Sequence, residues 1–192
     1  MKKNTSQLNS ELRTFLEKVV INVGTGRLSQ QASFEDKLLP QITKDISAIT
    51  GQKPHVRLSK KSIAGFKMRE GAIVGVRVTL RAKKMVDFFE RLVRIVLPRV
   101  RDFSGIQESA VDQGGVLNIG IREQYVFSEI SPEISPLSFS FEAAIVPKHK
   151  NRQESLDKFR TFGVPFSKGN TAFRSSKNPR VRKSNTVCSP IS

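Results

Sequence analysis

An α+β fold is predicted, with a mostly antiparallel sheet, helices packed on one of its faces and a basic face opposite. Three observations lead there. Short apolar runs of strand length alternate with longer segments of helical period, in the order strand, helix, strands, helix, strands, helix. The most regular run, IVGVRVTLR at 73–81, sets Val74, Val76, Val78 and Leu80 on one side and Arg77, Thr79 and Arg81 on the other. The chain of 192 residues shows no repeat period and is long enough to bury one substantial core.

The elements follow in order. KVVINVG at 18–24 is a short apolar run ending in glycine, the pattern of a buried strand. The GTGR that follows lacks the full G-x-x-x-x-G-K-[ST] phosphate loop and reads as a plain turn. Residues 33–50 form a helix with Ser33 as N-cap and Glu35 and Asp36 in the first turn. Its apolar stripe is Leu38, Leu39, Ile42, Ile46 and Ile49, and Pro40 predicts a late start or a kink. Gly51 suits the helix stop, Pro54 forces extended backbone, and HVRLSKKS is a basic strand leading outward.

The helix at 83–99 repeats Met85, Phe88, Phe89, Leu92, Ile95 and Val96 at three- and four-residue spacing. Pro98 closes it, and Arg91 and Arg94 take its exposed side. That period assigns the phenylalanines to the core rather than to a stacking platform. Strands at 116–121 (VLNIGI) and 137–146 (LSFSFEAAIV) and a helix at 151–162 complete the series.

The formal net charge is +16, and it is unevenly spread. Residues 51–101 hold 14 Lys and Arg against three acids, residues 102–147 hold seven acids against Arg122 alone, and residues 148–192 hold 11 bases against two acids. So basic a chain repels itself unless it meets a polyanion, which points to nucleic acid or an anionic membrane surface. No run of 18 apolar residues is present, and the start MKKNTSQLNSELR has no apolar segment of a secretory signal. Cys188 is the only cysteine and lies in a polar stretch, so no intrachain disulfide framework exists and the chain reads as cytosolic or organellar. Residues 168–192 carry six bases and no acid, and too few apolar residues to fold alone; disorder until binding is expected there.

Catalytic and metal signals are lacking. TGQKP at 50–54 resembles a zinc-finger linker, but one Cys and two His (His55 and His149) cannot build the usual Cys/His zinc sites. There is no G-x-S-x-G, no H-E-x-x-H and no Cys–His pairing near a core element. Glu123 and Glu129 read as salt-bridge partners, and Asp102 and Asp112 as Asx-turn formers. No enzyme, metal or cofactor is expected.

Several motifs in a fixed order carry a resemblance. INVGTG at 21–26, ITGQKP at 49–54, KKSIAGFKMREG at 60–71 and VTLR at 78–81 are followed by FFERLVRIVLPRVRDFSGI at 88–106, IREQYVFSEI at 121–130 and FGVPFSK at 162–168. Over about residues 18–168 the chain resembles the large-subunit ribosomal protein number five family, which binds 5S ribosomal RNA. The resemblance implies an RNA-binding domain in the central protuberance. There it would link 5S RNA to large-subunit RNA, touch the P-site transfer RNA and bridge to a small-subunit head protein. By motif, the family's 5S contacts fall on Asn22, Gln52 and Thr79.

Lys53, Arg77 and Arg81 join those three as expected 5S contacts, since arginines beside Thr79 on the non-core face neutralise phosphates while the polar groups read geometry. The loop AGFKMREG matches the segment that reaches transfer RNA, which nominates Lys60, Lys61, Phe66, Lys67 and Arg69; Phe66 is either a stacking residue or an anchor tucked on the sheet. The acidic stretch at 107–135 suits a side facing another basic ribosomal protein. Two departures from the family are visible: SELRTFLEKVV stands where members carry a longer helical lead, and a basic extension follows FGVPFSK. Arg174, Lys177, Arg180, Arg182 and Lys183 of that extension are expected to contact RNA. The division is then a short N-terminal segment (1–17), the RNA-binding domain (18–167) and a basic tail (168–192), on a cytoplasmic or organellar ribosome. A free-standing RNA regulator or chaperone and an unrecognised enzyme are the competing classes.

Overall fold

Alternation along the strands builds the sheet. A computed structural model describes residues 5–26, 28–30, 34–66, 68–133 and 135–167. Its five strands are β1 (Leu16–Gly24), β2 (His55–Leu58), β3 (Ile73–Leu80), β4 (Leu117–Ile121) and β5 (Phe141–Pro147). They pair in the order β2-β3-β1-β5-β4, every neighbour antiparallel. Val19, Ile21 and Val23 of β1, Val76, Val78 and Leu80 of β3, and Ala143 and Ile145 of β5 turn inward and are buried. Gly75 lies opposite Gly24, where a Cβ would sit 2.4 Å from the Val23 carbonyl oxygen; only glycine lets β1 and β3 approach so closely there.

Among the described residues five helices supply the other layer: α1 (Thr5–Phe15), α2 (Leu39–Thr50), α3 (Ala82–Arg91), α4 (Leu97–Arg99) and α5 (Arg152–Thr161). One apolar cluster joins them to the sheet, with Leu12 and Phe15 from α1, Ile42, Ile46 and Ile49 from α2, Phe88 and Phe89 from α3, and Phe159 from α5. Phe159 packs edge-on to Phe15 with centroids 5.3 Å apart and lies 6.4 Å from Phe89, while Phe127 bridges Phe88 and Phe141. The α+β arrangement and the core role of the phenylalanines are as expected.

Local departures have identifiable causes. The helix expected over 33–50 is helical from Phe34 but changes type at the proline: a π-helical turn (Phe34–Leu38) runs into α2, and Pro40, which lacks an N–H to continue the ladder, falls at the change. Ser33, the expected N-cap, lies outside the described residues. Gly51 ends α2 at φ 64°, its N–H donating to the Ser47 carbonyl.

In the 83–99 helix, Ile95 is 43% exposed rather than buried. Residues Leu92–Val96 form a π-helical turn, whose extra width retards the phase. Val93, Val96 and Leu97 stay on the buried stripe, and Ile95 falls outside it. Pro98 does not close the helix on its own, since α4 continues through Arg99. Arg91 is half-buried, not free on the surface: it donates to the Ile49 carbonyl at 2.9 Å and pairs with Glu129.

The last strand begins at Phe141, four residues later than expected. Buried Gln124 takes the partners that a longer strand would use, accepting from the Phe139 N–H at 2.9 Å and donating to the Leu137 carbonyl. Nearby, Ser135 donates to the buried carboxylate of Asp45 at 2.5 Å, and Tyr125 donates to the Ser135 carbonyl at 2.8 Å, so the segment is tied to α2.

Candidate nucleic-acid interface

The antiparallel register sorts the outward side chains into rows across the open face. His55, Arg77, Asn22, Glu142 and Gly120 form one row, each opposite the next. Thr79, Val20, Ala144 and Asn118 form the adjacent row. Bases therefore gather on the β2–β3 side of the face, and the β5–β4 side carries small residues and a carboxylate. Asn22 and Arg77 are exposed and Thr79 is half-buried.

The stop of α2 adds to this edge. Beyond Gly51, Gln52 is held by its N–H donating to the Thr50 hydroxyl at 3.2 Å, and its side-chain amide donates to the Thr79 carbonyl at 3.4 Å. Cations from α3 fix the turn: Lys84 donates to the Gly51 carbonyl at 2.7 Å, and Arg91 holds Ile49 as described. Such positive groups also suit the negative end of the α2 dipole.

Gln52, Lys53, His55, Arg57, Arg77, Val78 and Thr79 line a shallow cleft of about 280 Å³. Four of the six expected 5S contacts, Gln52, Lys53, Arg77 and Thr79, thus meet in one place. Asn22 joins them from the neighbouring strand, opposite Arg77. Arg81 stands apart, past the end of β3, where its guanidinium comes within 3.9 Å of Glu17. The Glu17 carboxyl is held below its ordinary value, chiefly by a hydrogen bond from Lys18 and by that cation's charge, with Arg81 and Lys150 adding to the effect.

His55 and Arg57 were not among the expected contacts. Their spacing of two on a strand that Pro54 keeps extended was the available signal. Glu142 on the same face had none, since it sits within an apolar strand of the acidic stretch.

Between β2 and β3 the chain forms a projecting hairpin. Ile63 and Met68 exchange backbone hydrogen bonds at 2.9 and 3.2 Å around a 3-10 turn at Ala64–Phe66, and Ser59 accepts from Gly71 at 3.0 Å. Lys60, Lys61, Phe66 and Arg69 are all exposed. Phe66 is 69% exposed, which removes the tucked-anchor alternative; Leu58 and Ile63 are uncovered beside it. Lys67 and the five expected contacts of the tail (Arg174, Lys177, Arg180, Arg182, Lys183) lie outside the described residues.

Among the described residues no cluster of three or more His, Cys, Asp or Glu is placed to hold a metal ion, and no helix is long and apolar enough to cross a membrane. An antiparallel sheet with helices behind, a basic hydrogen-bonding cleft in front and a cationic hairpin at its edge defines a class: α+β proteins with an open face suited to a polyanion.

Comparison with known proteins narrows the class. The family model described as ribosomal protein L5 matches residues 13–69, and the model for the C-terminus of the same ribosomal family matches residues 73–166. The large ribosomal subunit protein uL5 of Chlorobaculum tepidum is 41% identical over 155 residues, covering 81% of this chain and 82% of that protein. The uL5 of Rubrobacter xylanophilus is 43% identical over 79% of this chain and 82% of its own length, and that of Fusobacterium nucleatum 42% identical over 80% and 81%. The chain belongs to the ribosomal protein L5 family. It is a structural, non-enzymatic constituent of the large ribosomal subunit that associates with ribosomal RNA.

Proposed function

We propose that the protein binds 5S ribosomal RNA through the cleft on the β2–β3 side of its open face, with Asn22, Gln52, Lys53, Arg77, Thr79 and Arg81 as contacts. The observation that carries this reading is the convergence of Gln52, Lys53, Arg77 and Thr79 on one concave surface, although 27 residues separate Gln52 from Thr79. Hydrogen-bonding groups at the centre with cations around them match recognition of an RNA surface through 2′-hydroxyls and phosphates.

The hairpin, with Lys60, Lys61, Phe66, Lys67 and Arg69, reaches the P-site transfer RNA. Its exposed ring and bases fit stacking beside a phosphate backbone. From a seat in the central protuberance the protein bridges to a protein of the small-subunit head, and its acid-rich segment at 107–135 faces another basic ribosomal protein. Residues 168–192 form a separate basic tail that adds contacts to large-subunit RNA.

A gel shift of the full chain against 5S RNA, with transfer RNA as competitor, tests the assignment. The expected result is a 5S complex that excess transfer RNA does not dissolve; equal competition by transfer RNA would sink it. Removing the residues after Lys168 should leave 5S binding largely intact and weaken retention on the large subunit.

A further inference from the structure

At the start of β1 the pairing with β5 carries one residue too many. Leu16 faces Pro147 and Lys18 faces Val146, so Glu17 is inserted between two successive partners. Leu16 and Val19, three positions apart, are both buried in the core, at 1% and 0% exposure. Glu17 and Lys18 between them both reach solvent, with side chains 43% and 31% exposed. A strict alternation would have sent one of this pair inward; the bulge re-aims them, as bulges do.

What gathers around the bulge is charge from three elements. Lys18 Nζ lies 3.0 Å from Glu17 Oε1, and Arg81 Nη1, from the residue after β3, lies 3.9 Å from the same oxygen. Lys150, in the segment after β5, is exposed and acts on the same carboxylate. The site lies at the end of the sheet where β1 begins and β3 and β5 finish, beyond the row of Thr79 and Val20 and outside the cleft.

One carboxylate oxygen serves both Lys18 and Arg81 in a solvated setting, and such exposed pairs exchange readily because each is weak. A phosphodiester carries its charge on oxygens spread in space. It takes charge-assisted bonds from lysines and a forked pair from an arginine.

Taking the open face as the RNA-facing side, as the function proposed above requires, we propose that Lys18, Arg81 and Lys150 form a second phosphate seat, which Glu17 occupies until a phosphate of bound RNA displaces it. The carboxylate draws Lys18 and Arg81 together in the free protein, with Lys150 beside them, and would oppose binding by its own charge. Bound RNA would then run from the cleft at β2–β3 past Thr79 to the end of β5.

The test titrates the full chain with a 5S RNA transcript by fluorescence anisotropy across a salt series. Glu17→Gln should tighten binding about two- to fivefold at low salt, a gain that fades as salt rises. Loss of function from misfolding cannot produce that sign. Glu133→Gln, the same charge change on an exposed loop residue, should give less than half of that gain. Lys150→Ala should weaken binding and lower the slope of log affinity against log salt by ~0.7 to 0.9. In the Lys150→Ala background the gain from Glu17→Gln should shrink, because the two groups share one site.

If Glu17→Gln is no tighter than Glu133→Gln, or Lys150→Ala leaves the slope unchanged, the seat is overturned. Arg77→Ala separates the two levels. Weakened binding in Arg77→Ala beside silent Glu17 and Lys150 variants overturns the seat and leaves the cleft standing; a silent Arg77→Ala removes the cleft and the seat with it.

Discussion

The two halves of the open face share one sheet and one core, yet their outward residues differ. On the β2–β3–β1 side the positions facing solvent are His55, Arg57, Arg77, Thr79, Asn22 and Lys18; on the β5–β4 side they are Glu142, Ala144, Val146, Asn118 and Gly120. Inward positions are apolar on both sides, buried throughout β1, β5 and β4 and over Val76, Val78 and Leu80 of β3, and open to solvent only toward the β2 edge, where Leu58 is exposed. Folding therefore constrains only the inner set. The outer set is free to divide the face into a cationic half and a smoother half with a negative point, and in the 5S binding proposed above that division would favour one side of the face.

The largest effect should come from breaking what the halves share. Phe159→Ala removes a ring packed on Phe15 and Phe89 and should cost about 3–5 kcal/mol of stability. Thermal unfolding and RNA binding should then suffer together, without regard to charge. Next in size is the cationic half alone. Arg77→Ala and Arg81→Ala should each weaken 5S binding and reduce the salt slope by ~0.7 to 0.9, with melting unchanged; unaltered slopes in both would erase the difference between the halves.

Phe66→Ala lies off the face altogether. It should leave 5S affinity intact while costing about 1–3 kcal/mol in a transfer RNA contact measured on subunits. Glu142→Gln, across from Asn22, should give the smallest change, a slight tightening visible only at low salt. A Glu142→Gln effect as large as that of Arg77→Ala would show that RNA covers both halves alike.

How far the sequence reached depended on whether a feature is local. Val76, Val78 and Leu80 could be placed inward, and Arg77 outward, because a strand's period is its own property. The stop at Gly51 followed from glycine's ease at positive φ. Ile95 could not be read correctly, because the π-helical turn that rotates it outward answers to packing against the core rather than to its neighbours in sequence. The late start of β5 depends on Gln124 claiming the Phe139 N–H and the Leu137 carbonyl from 15 and 13 residues away. The pairing that sets Arg77 between His55 and Asn22 belongs to register, which no single strand contains. Gln52, Arg77 and Thr79 were nominated in advance, but their meeting in one cleft needed α2 to end beside β3.

The clasp on the end of α2 has a kinetic meaning. Lys84 on the Gly51 carbonyl, Arg91 on that of Ile49 and the Thr50 hydroxyl under Gln52 fix the turn before any RNA is present. In the proposed 5S contact, an amide so held would give up little conformational freedom on docking, so its hydrogen bonds should appear as slow dissociation more than as fast arrival. Loosening the clasp from behind, by Lys84→Ala on a side chain outside the cleft, should shorten the lifetime of the complex while encounter stays nearly as frequent. The residence time of the RNA would thus be set in part by a side chain behind the cleft rather than in it.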